Sequence, residues 1–310
     1  MSKVRQEITI IILAYKSSHI IENALDPIVN QGFNIKVIDN GSNDNIADLL
    51  KEKYANSGIE LIMLENNVGF CKGNNVALKK VITKYAFLLN PDAIIDPESI
   101  DNLALEMERN NKIALASPFS ITNLDLTLEE KAQEIENYKK IITILSEDDN
   151  KIETDFICGG YMLIKTKIFQ KIGFLDENLF LYGDDEEISD RSRFNKYKNI
   201  LVKSSFAYHK DHSASFSKTS TEKYQLLYKR YWYMGWSRAY LKRKRGINFL
   251  KILIKSFVQL LTIFLYLIIL RKNKAIIRAG RSIGSIYNII GLDCFNKENK
   301  IVKVKNKTII

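Results

Sequence analysis

The chain has 310 residues, 46% of them apolar and 26% charged, with a net charge of +10, enough apolar content for a sizeable core in one or two domains. Its three cysteines, Cys71, Cys158 and Cys294, are far apart and lack CxxC spacing, which excludes a disulfide framework and a zinc site and fits a reducing compartment. The charge is divided: residues 1–190 hold 19 Lys+Arg against 32 Asp+Glu (−13), and residues 191–310 hold 27 against 4 (+23), the pattern of a catalytic domain followed by a basic, anion-facing region for which nucleic acid and anionic membrane are candidate partners.

The N-terminal apolar run is short and is followed by Lys16, so it reads as a first strand and not as a signal peptide. Residues 7–15 (EITIIILAY) form that strand, β-branched and buried on both faces. Residues 18–29 have helical spacing through Ile20, Ile21, Leu25 and Ile28. Residues 34–39 (NIKVID) are the second strand, closed by the turn signal Asn40-Gly41-Ser42-Asn43-Asp44. A helix over 46–54 and a third strand over 60–64 follow. Residues 66–75 (NNVGFCKGNN) read as a polar loop, 76–82 as helix and 85–89 (YAFLL) as the fourth strand. Alternating strands and helices predict a parallel sheet with helices on both faces and ligands at the strands' carboxyl ends. Asp39, Asn67 and Asp92 fall on that one edge.

Asn90-Pro91-Asp92 follows the fourth strand, and proline fixes φ, so Asp92 sits on a rigid turn; an Asx turn is the plainer use of such an Asp. Residues 97–109 read as helix, 114–118 as a short strand and 123–150 as a polar excursion with helical content. Residues 157–164 (ICGGYMLI) read as a strand whose paired glycines, Gly159 and Gly160, mark the close approach of a ligand or another backbone. A helix over 165–172 ends at Gly173. Strand-like pieces fill 198–208, and His209 and His212 come directly after them; a lone histidine is more often structural, but the strand end raises a metal role.

Residues 180–191 read FLYGDDEEISDR. Four consecutive acids, Asp184, Asp185, Glu186 and Glu187, follow an apolar run and a glycine. Acids favour a helix's first turn, which is the plain reading. Like charges delivered by an apolar entry to the edge of a core must still be met by a cation, a substrate or solvent. Together with Asp92 they suggest a metal and a general base sharing a cleft.

The set of motifs resembles glycosyltransferase family 2, which has the GT-A fold, over about residues 8–215. The pieces are a first strand ending in Ala14-Tyr15, then VIDNGSND, NNVGFCKGNN, LLNPDA, CGGYMLIKTKIFQKIGFLDENLFLYGDDEE and the later His209. NPD, CGGYMLI and GFLDENLFLYGDDEE together resemble the bacterial rhamnosyltransferase-like branch, whose enzymes extend lipid-linked sugars of O-antigens, capsules or cell-wall linkers. The resemblance implies an α/β GT-A domain, mostly parallel, over 1–220. It implies a nucleoside-diphosphate sugar donor held by Ala14, Tyr15, Asp39 (at the base), Asn67, Gly69, Asn75, Asn90 and Asp92. Mg²⁺ or Mn²⁺ would sit on Asp92 and His209. The catalytic base would be Asp185, with Asp184 the alternative, because the family's usual Glu is Asp184 here. Displacement would be direct and inverting. Rhamnose is the implied sugar; glucose, galactose or galactofuranose is the alternative.

Residues 224–245 are aromatic and basic, and 247–270 are strongly apolar, broken by Lys251 and Lys255. The uninterrupted part, 256–270, is 15 residues, shorter than the roughly 20 a spanning helix needs. The expectation is a helical region over 221–310 lying in the membrane interface, with Trp232 and Trp236 at the boundary and Arg230 to Arg245 holding the diphosphate of a polyprenyl-linked acceptor. This places the protein at the cytoplasmic face of the cell membrane, peripheral or monotopic. The alternative is a helix packed on the domain or in a homo-oligomer. Single-stranded nucleic acid would also suit interleaved aromatic and basic residues, but the adjoining apolar run argues against it.

Overall fold

The computed structural model describes residues 3–121, 150–209, 219–268, 271–295 and 300–310. The expected excursion over 123–150 lies almost wholly outside the described residues, as do His212 and the side chain of His209.

The β-branched first run forms β1 (Ile8–Ala14) at the centre of the sheet. It pairs in parallel with β2 (Asn34–Asp39) on one side and β4 (Tyr85–Leu89) on the other, and β3 (Glu60–Leu64) pairs in parallel with β2. Side chains alternate across the sheet. Ile8, Ile10, Ile12 and Ala14 enter one core with Tyr85 and Phe87, whereas Ile11 enters the second with Ala86 and Leu88. The first core is covered by α1 (Glu22–Leu25), α2 (Ile46–Lys53) and α4 (Pro97–Glu108). The second is covered by α3 (Phe70–Leu78), α5 (Thr166–Ile172) and α6 (Asp184–Phe194).

Beyond β4 the sheet is mixed. Among the described residues its order is β10-β3-β2-β1-β4-β8-β6-β9-β5, where β5 is Ala93–Ile95, β6 Ile113–Ile121, β8 Tyr161–Lys165, β9 Lys198–His209 and β10 Val304–Ile309; β7 (Lys151–Glu153) pairs with β9. β8 runs antiparallel between β4 and β6. Its N-terminal end therefore meets the carboxyl end of β4, and the expected parallel pairing holds for β3-β2-β1-β4 and again between β6 and β9, with β8 and the edge strands antiparallel.

Several local expectations shift. Residues 18–29 form turns around one helical turn, α1. The loop expected over 66–75 becomes helix from Phe70, because Gly69, at φ +86°, breaks the preceding chain direction and its carbonyl accepts from Gly73 N–H. Gly159 and Gly160 lie in the turn before β8 and not within it.

The C-terminal region does not stand apart. Helix α7 (Ser220–Lys244) opens with a capping box between Thr219 and Glu222 and buries Trp236 and Leu241 in the second core. Trp236 donates Nε1–H to the Leu292 carbonyl (2.9 Å) and stacks on Tyr240. It is a core residue, not a membrane-boundary anchor. Helix α9 (Lys272–Ile289) packs along both α7 and α8 (Phe249–Ile268). Glycines allow the α7–α9 approach: a Cβ at Gly284 would sit 2.0 Å from the Trp232 carbonyl oxygen, and one at Gly235 2.1 Å from that of Arg281. The chain then returns to the sheet as β10, antiparallel to β3, so 221–310 is not wholly helical. Among the described residues no helix is long and apolar enough to cross a membrane.

Candidate functional site

Four strand ends and two loops converge on one edge. The Ala14 carbonyl accepts from Asn40 N–H (2.8 Å), which ties the end of β1 to the turn after β2. Asp39 is buried and its carboxylate accepts from Ser42 N–H (2.9 Å); Ser42 Oγ in turn accepts from Lys16 N–H (3.0 Å). Lys16 holds φ at +53°, a strained backbone of the kind that gathers at functional sites. Tyr15 beside it is 40% exposed, with the Lys16 ammonium 5.6 Å from its ring centre. This is a shelf with an aromatic face and a buried acid.

Asn40, which the sequence reading passes over, holds the next loop. Its amide donates to Asn67 Oδ1 (3.2 Å) and the Gly69 carbonyl (3.3 Å), and accepts from Val68 N–H (3.0 Å). The signal available in the sequence was its place inside the DNGSND turn. Gly69 is also required sterically: a Cβ there would lie 2.6 Å from the Phe180 carbonyl oxygen, the atom that accepts from Phe70 N–H (2.7 Å). Asn67 and Gly69 thus abut the segment that delivers the acids. Asn75 does not act with them. Its amide donates to the Leu175 carbonyl and Glu177 (both 2.9 Å) and accepts from Leu175 N–H (3.2 Å). It is buried and clips the 175–177 loop to α3, a structural duty in place of the expected donor contact.

Across the sheet edge, Asn90 N–H donates to the Gly160 carbonyl (2.8 Å). Asp92 is buried on the turn between β4 and β5. Ala93 is in register with His209, the last residue of β9, so backbone pairing brings Asp92 and His209 to the same end of the sheet. Gly159 then connects this turn to the acidic run: a Cβ on Gly159 would lie 2.9 Å from Asp184 Oδ2 and 3.5 Å from Asp185 Cβ.

The acids divide by partner. Tyr182 (φ +66°) and Gly183 (φ +81°) are successive left-handed residues that turn the chain into α6. Glu187 is buried against Arg191, which grips it through Nε and a terminal nitrogen (both 2.9 Å), and against Lys244 (2.8 Å). Glu186 pairs with Arg245 (2.7 Å). Arg245 also bonds Asp190, and Arg243 donates to the Asn288 carbonyl (2.6 Å). Arg243, Lys244 and Arg245 are therefore committed within the protein, which corrects their expected role on an acceptor diphosphate. Asp184 and Asp185 have no cation partner among the described residues. Burial, with Asp185 alongside, pushes the Asp184 carboxyl up to about 8. Burial also raises Asp185, opposed by the Glu186 N–H that donates to its Oδ1 (2.9 Å). Both carboxyls are thus held toward the protonated form, and a carboxyl raised toward neutrality is suited to accepting a proton.

The residues fit a divalent ion bound chiefly through substrate. Among the described residues no three His, Cys, Asp or Glu side chains gather as a metal site. Magnesium-type ions characteristically use one or two carboxylates plus substrate phosphates and water, and Asp92 is one buried carboxylate at this edge.

The family model of glycosyl transferase family 2 matches residues 9–173. The chain belongs to that family. A low-salt glycan biosynthesis hexosyltransferase of Haloferax volcanii, Agl10, is 25% identical over 195 residues, 60% of this chain and 62% of that one. A poly-β-1,6-N-acetyl-D-glucosamine synthase of Staphylococcus epidermidis is 22% identical over 176 residues, 56% of this chain and 42% of that one. The chain thus spans between two fifths and two thirds of those relatives' lengths. Among solved structures, the mannosyltransferase PcManGT of Pyrobaculum calidifontis, in complex with GDP-Man and Mn²⁺, superposes with a TM-score of 0.56 at 14% identity, covering 91% of this chain and 87% of that one. GalNAc-T7 with UDP, GalNAc and Mn²⁺ gives 0.54 at 15% identity, covering 75% and 49%. These likenesses establish the α/β GT-A fold. The family match stops before Asp184, so the acidic pair rests on its own geometry.

Proposed function

We propose that this family 2 glycosyltransferase moves a sugar from a nucleoside-diphosphate donor to a lipid-diphosphate-linked saccharide, with inversion. The observation that carries the reading is the Asp184–Asp185 pair: Asp184 buried and Asp185 partly so, without a cation partner among the described residues, and joined through Gly159-Gly160 to the Asn90–Asp92 turn. Tyr15, Asp39 and Asn67 form the shelf for the nucleotide base and ribose. Asp92 and His209 would hold Mg²⁺ or Mn²⁺, which when bound offsets the charge of the leaving diphosphate. Asp185 accepts the proton of the acceptor hydroxyl as that oxygen attacks the anomeric carbon. The donor diphosphate leaves from the opposite face, and no covalent sugar–enzyme stage is needed. Asp184, protonated near neutral pH, keeps a second negative charge away from the base. The relatives named above are a hexosyltransferase and a poly-N-acetylglucosamine synthase. The CGGYMLI and GFLDENLFLYGDDEE motifs favour rhamnose as the donor sugar.

A membrane-surface location is supported by α8. Leu250, Ile254, Phe257, Val258 and Leu261 are each half or more exposed and recur at helical spacing along one stripe, while Ile252 and Ser256 on the other side are buried. An apolar stripe on a helix that is not long and apolar enough to cross a membrane matches a helix lying in the interface. We place the protein at the cytoplasmic face of the cell membrane. The test is thermal stabilisation by a panel of nucleotide-sugars with Mg²⁺ or Mn²⁺, followed by transfer to a lipid-linked acceptor. Stabilisation by one donor and not by its free sugar is expected; no stabilisation across the panel would refute the reading.

A further inference from the structure

Resting on that reading, we infer that the groove between α7 and α8, floored by α9, is the seat of the acceptor lipid's diphosphate, and that Arg238, Arg278 and Arg281 with Lys242 and Lys255 bind it. With Arg243 to Arg245 committed to Asn288 and to the acids of residues 176–190, the cations open to an anion lie elsewhere. Helices α8 and α9 contain no Asp or Glu, and α7 has only Glu222 in its first turn. Among the described residues no carboxylate pairs with any of the five; Glu186, whose charge reaches Lys242, is already held by Arg245.

The guanidinium groups are positioned as well as unpaired. Arg281 stacks over the Tyr231 ring (4.7 Å to its centre), and its Nε–H is buried with no acceptor among the described residues. Arg278 stacks over Tyr266 (4.7 Å) and donates to Thr262 Oγ1 (2.8 Å) and the Tyr266 hydroxyl (3.1 Å). Burial and the charges of Arg238 and Arg278 pull Arg281 below its ordinary value, and burial with Lys255 and Arg238 does the same to Lys242. Cations crowded together without counter-charge raise each other's energy. An anion of charge −2 or more relieves this, and planar guanidinium forks suit phosphate oxygens.

Two placements select a lipid-borne diphosphate. Lys251 and Lys255 border the exposed apolar stripe of α8, so a group bound beside them sits at headgroup depth. Toward the protein, Ser237, next to Arg238, donates to the Leu181 carbonyl (3.0 Å), and Arg230 hydrogen-bonds Tyr182. The groove therefore abuts the strap that carries Asp184 and Asp185, where the first sugar after a diphosphate must arrive.

The experiment uses the full chain and phosphatidylcholine vesicles of two kinds, one doped with a polyprenyl diphosphate and the other with phosphatidylglycerol at matched charge. Sedimentation should show about tenfold tighter binding to the diphosphate vesicles. The variant Arg238→Gln/Lys242→Gln, at one exposed and one half-buried position, should lose about tenfold of that binding at an unchanged melting temperature and with donor binding intact. Arg281→Lys, which keeps charge but not the fork, should lose the preference for diphosphate while keeping phosphatidylglycerol binding. Equal binding to the two vesicle types, or a double variant that retains the preference, would overturn the inference. A protein that binds no nucleotide-sugar yet keeps the diphosphate preference would sink the transferase reading and leave the groove standing.

Discussion

Replacing Asp184 with Asn should stabilise the protein, and increasingly so as pH rises. An unfolded Asp titrates near 3.8, whereas burial and Asp185 raise Asp184 to about 8 in the folded chain. The folded state therefore binds more protons between those values, so stability falls as pH rises from about 4 to about 8 and is flat beyond. At about 1.4 kcal/mol per pH unit the full difference is at most about 6 kcal/mol. The repulsion is shared with Asp185, so about 2 kcal/mol is expected, roughly 3 °C in Tm for a chain of this length. Asn keeps the shape and cannot ionise. Thermal melts of both proteins in EDTA, from pH 4 to 9, should coincide at the acid end and separate by about 3 °C above pH 8, with the variant higher. A variant no more stable at pH 8, or a gap that does not grow with pH, would refute the buried-pair reasoning.

Three further outcomes are expected. Asp92→Asn should abolish the dependence of donor binding on added Mg²⁺ or Mn²⁺, measured by calorimetric titration; unchanged metal-dependent binding would remove Asp92 from the site. Gly284→Ala should cost about 2 kcal/mol or more in urea unfolding, because its Cβ would meet the Trp232 backbone and neither helix can move alone; a neutral effect would contradict the α7–α9 packing. Ile254→Asp with Phe257→Asp should release the protein from anionic vesicles without lowering Tm by more than about 1 °C, since both side chains are already exposed; persistent binding would move the membrane contact elsewhere.

The half of the fold built from parallel strands was legible because those strands are buried on both faces and read as unbroken apolar runs: ITIIILA and YAFLL each form a strand with at most one residue short of full burial. Strand β10 was not. Its sequence, VKNKTI, is charged, and it is an exposed edge strand joined by backbone bonds and a Lys307–Glu60 pair (3.0 Å), with no apolar face to betray it. Deleting 246–310 would remove that strand with α8 and α9, so point changes on the α8 stripe separate membrane contact from folding. In the site, Asp39, Asn67, Asp92 and the acidic run were legible as polar residues after strands. The division of labour among the four acids was not, because it depends on Arg191 reaching back one helical turn and on Lys244 and Arg245 arriving from a helix more than 50 residues later. The same distance hid the fate of Lys244 and Arg245, which read as part of a headgroup-binding patch and serve as counter-charge for α6.

The central claim is that Asp185 deprotonates the acceptor on a nucleotide-sugar transferase. Single-turnover transfer by Asp185→Asn, compared with the unmodified protein on the donor that stabilises it, tests this most directly. The expected result is a rate lower by about 10²-fold or more with donor affinity within about twofold. A variant that transfers at the full rate, or an Asp184→Asn that is inactive while Asp185→Asn is active, would contradict it.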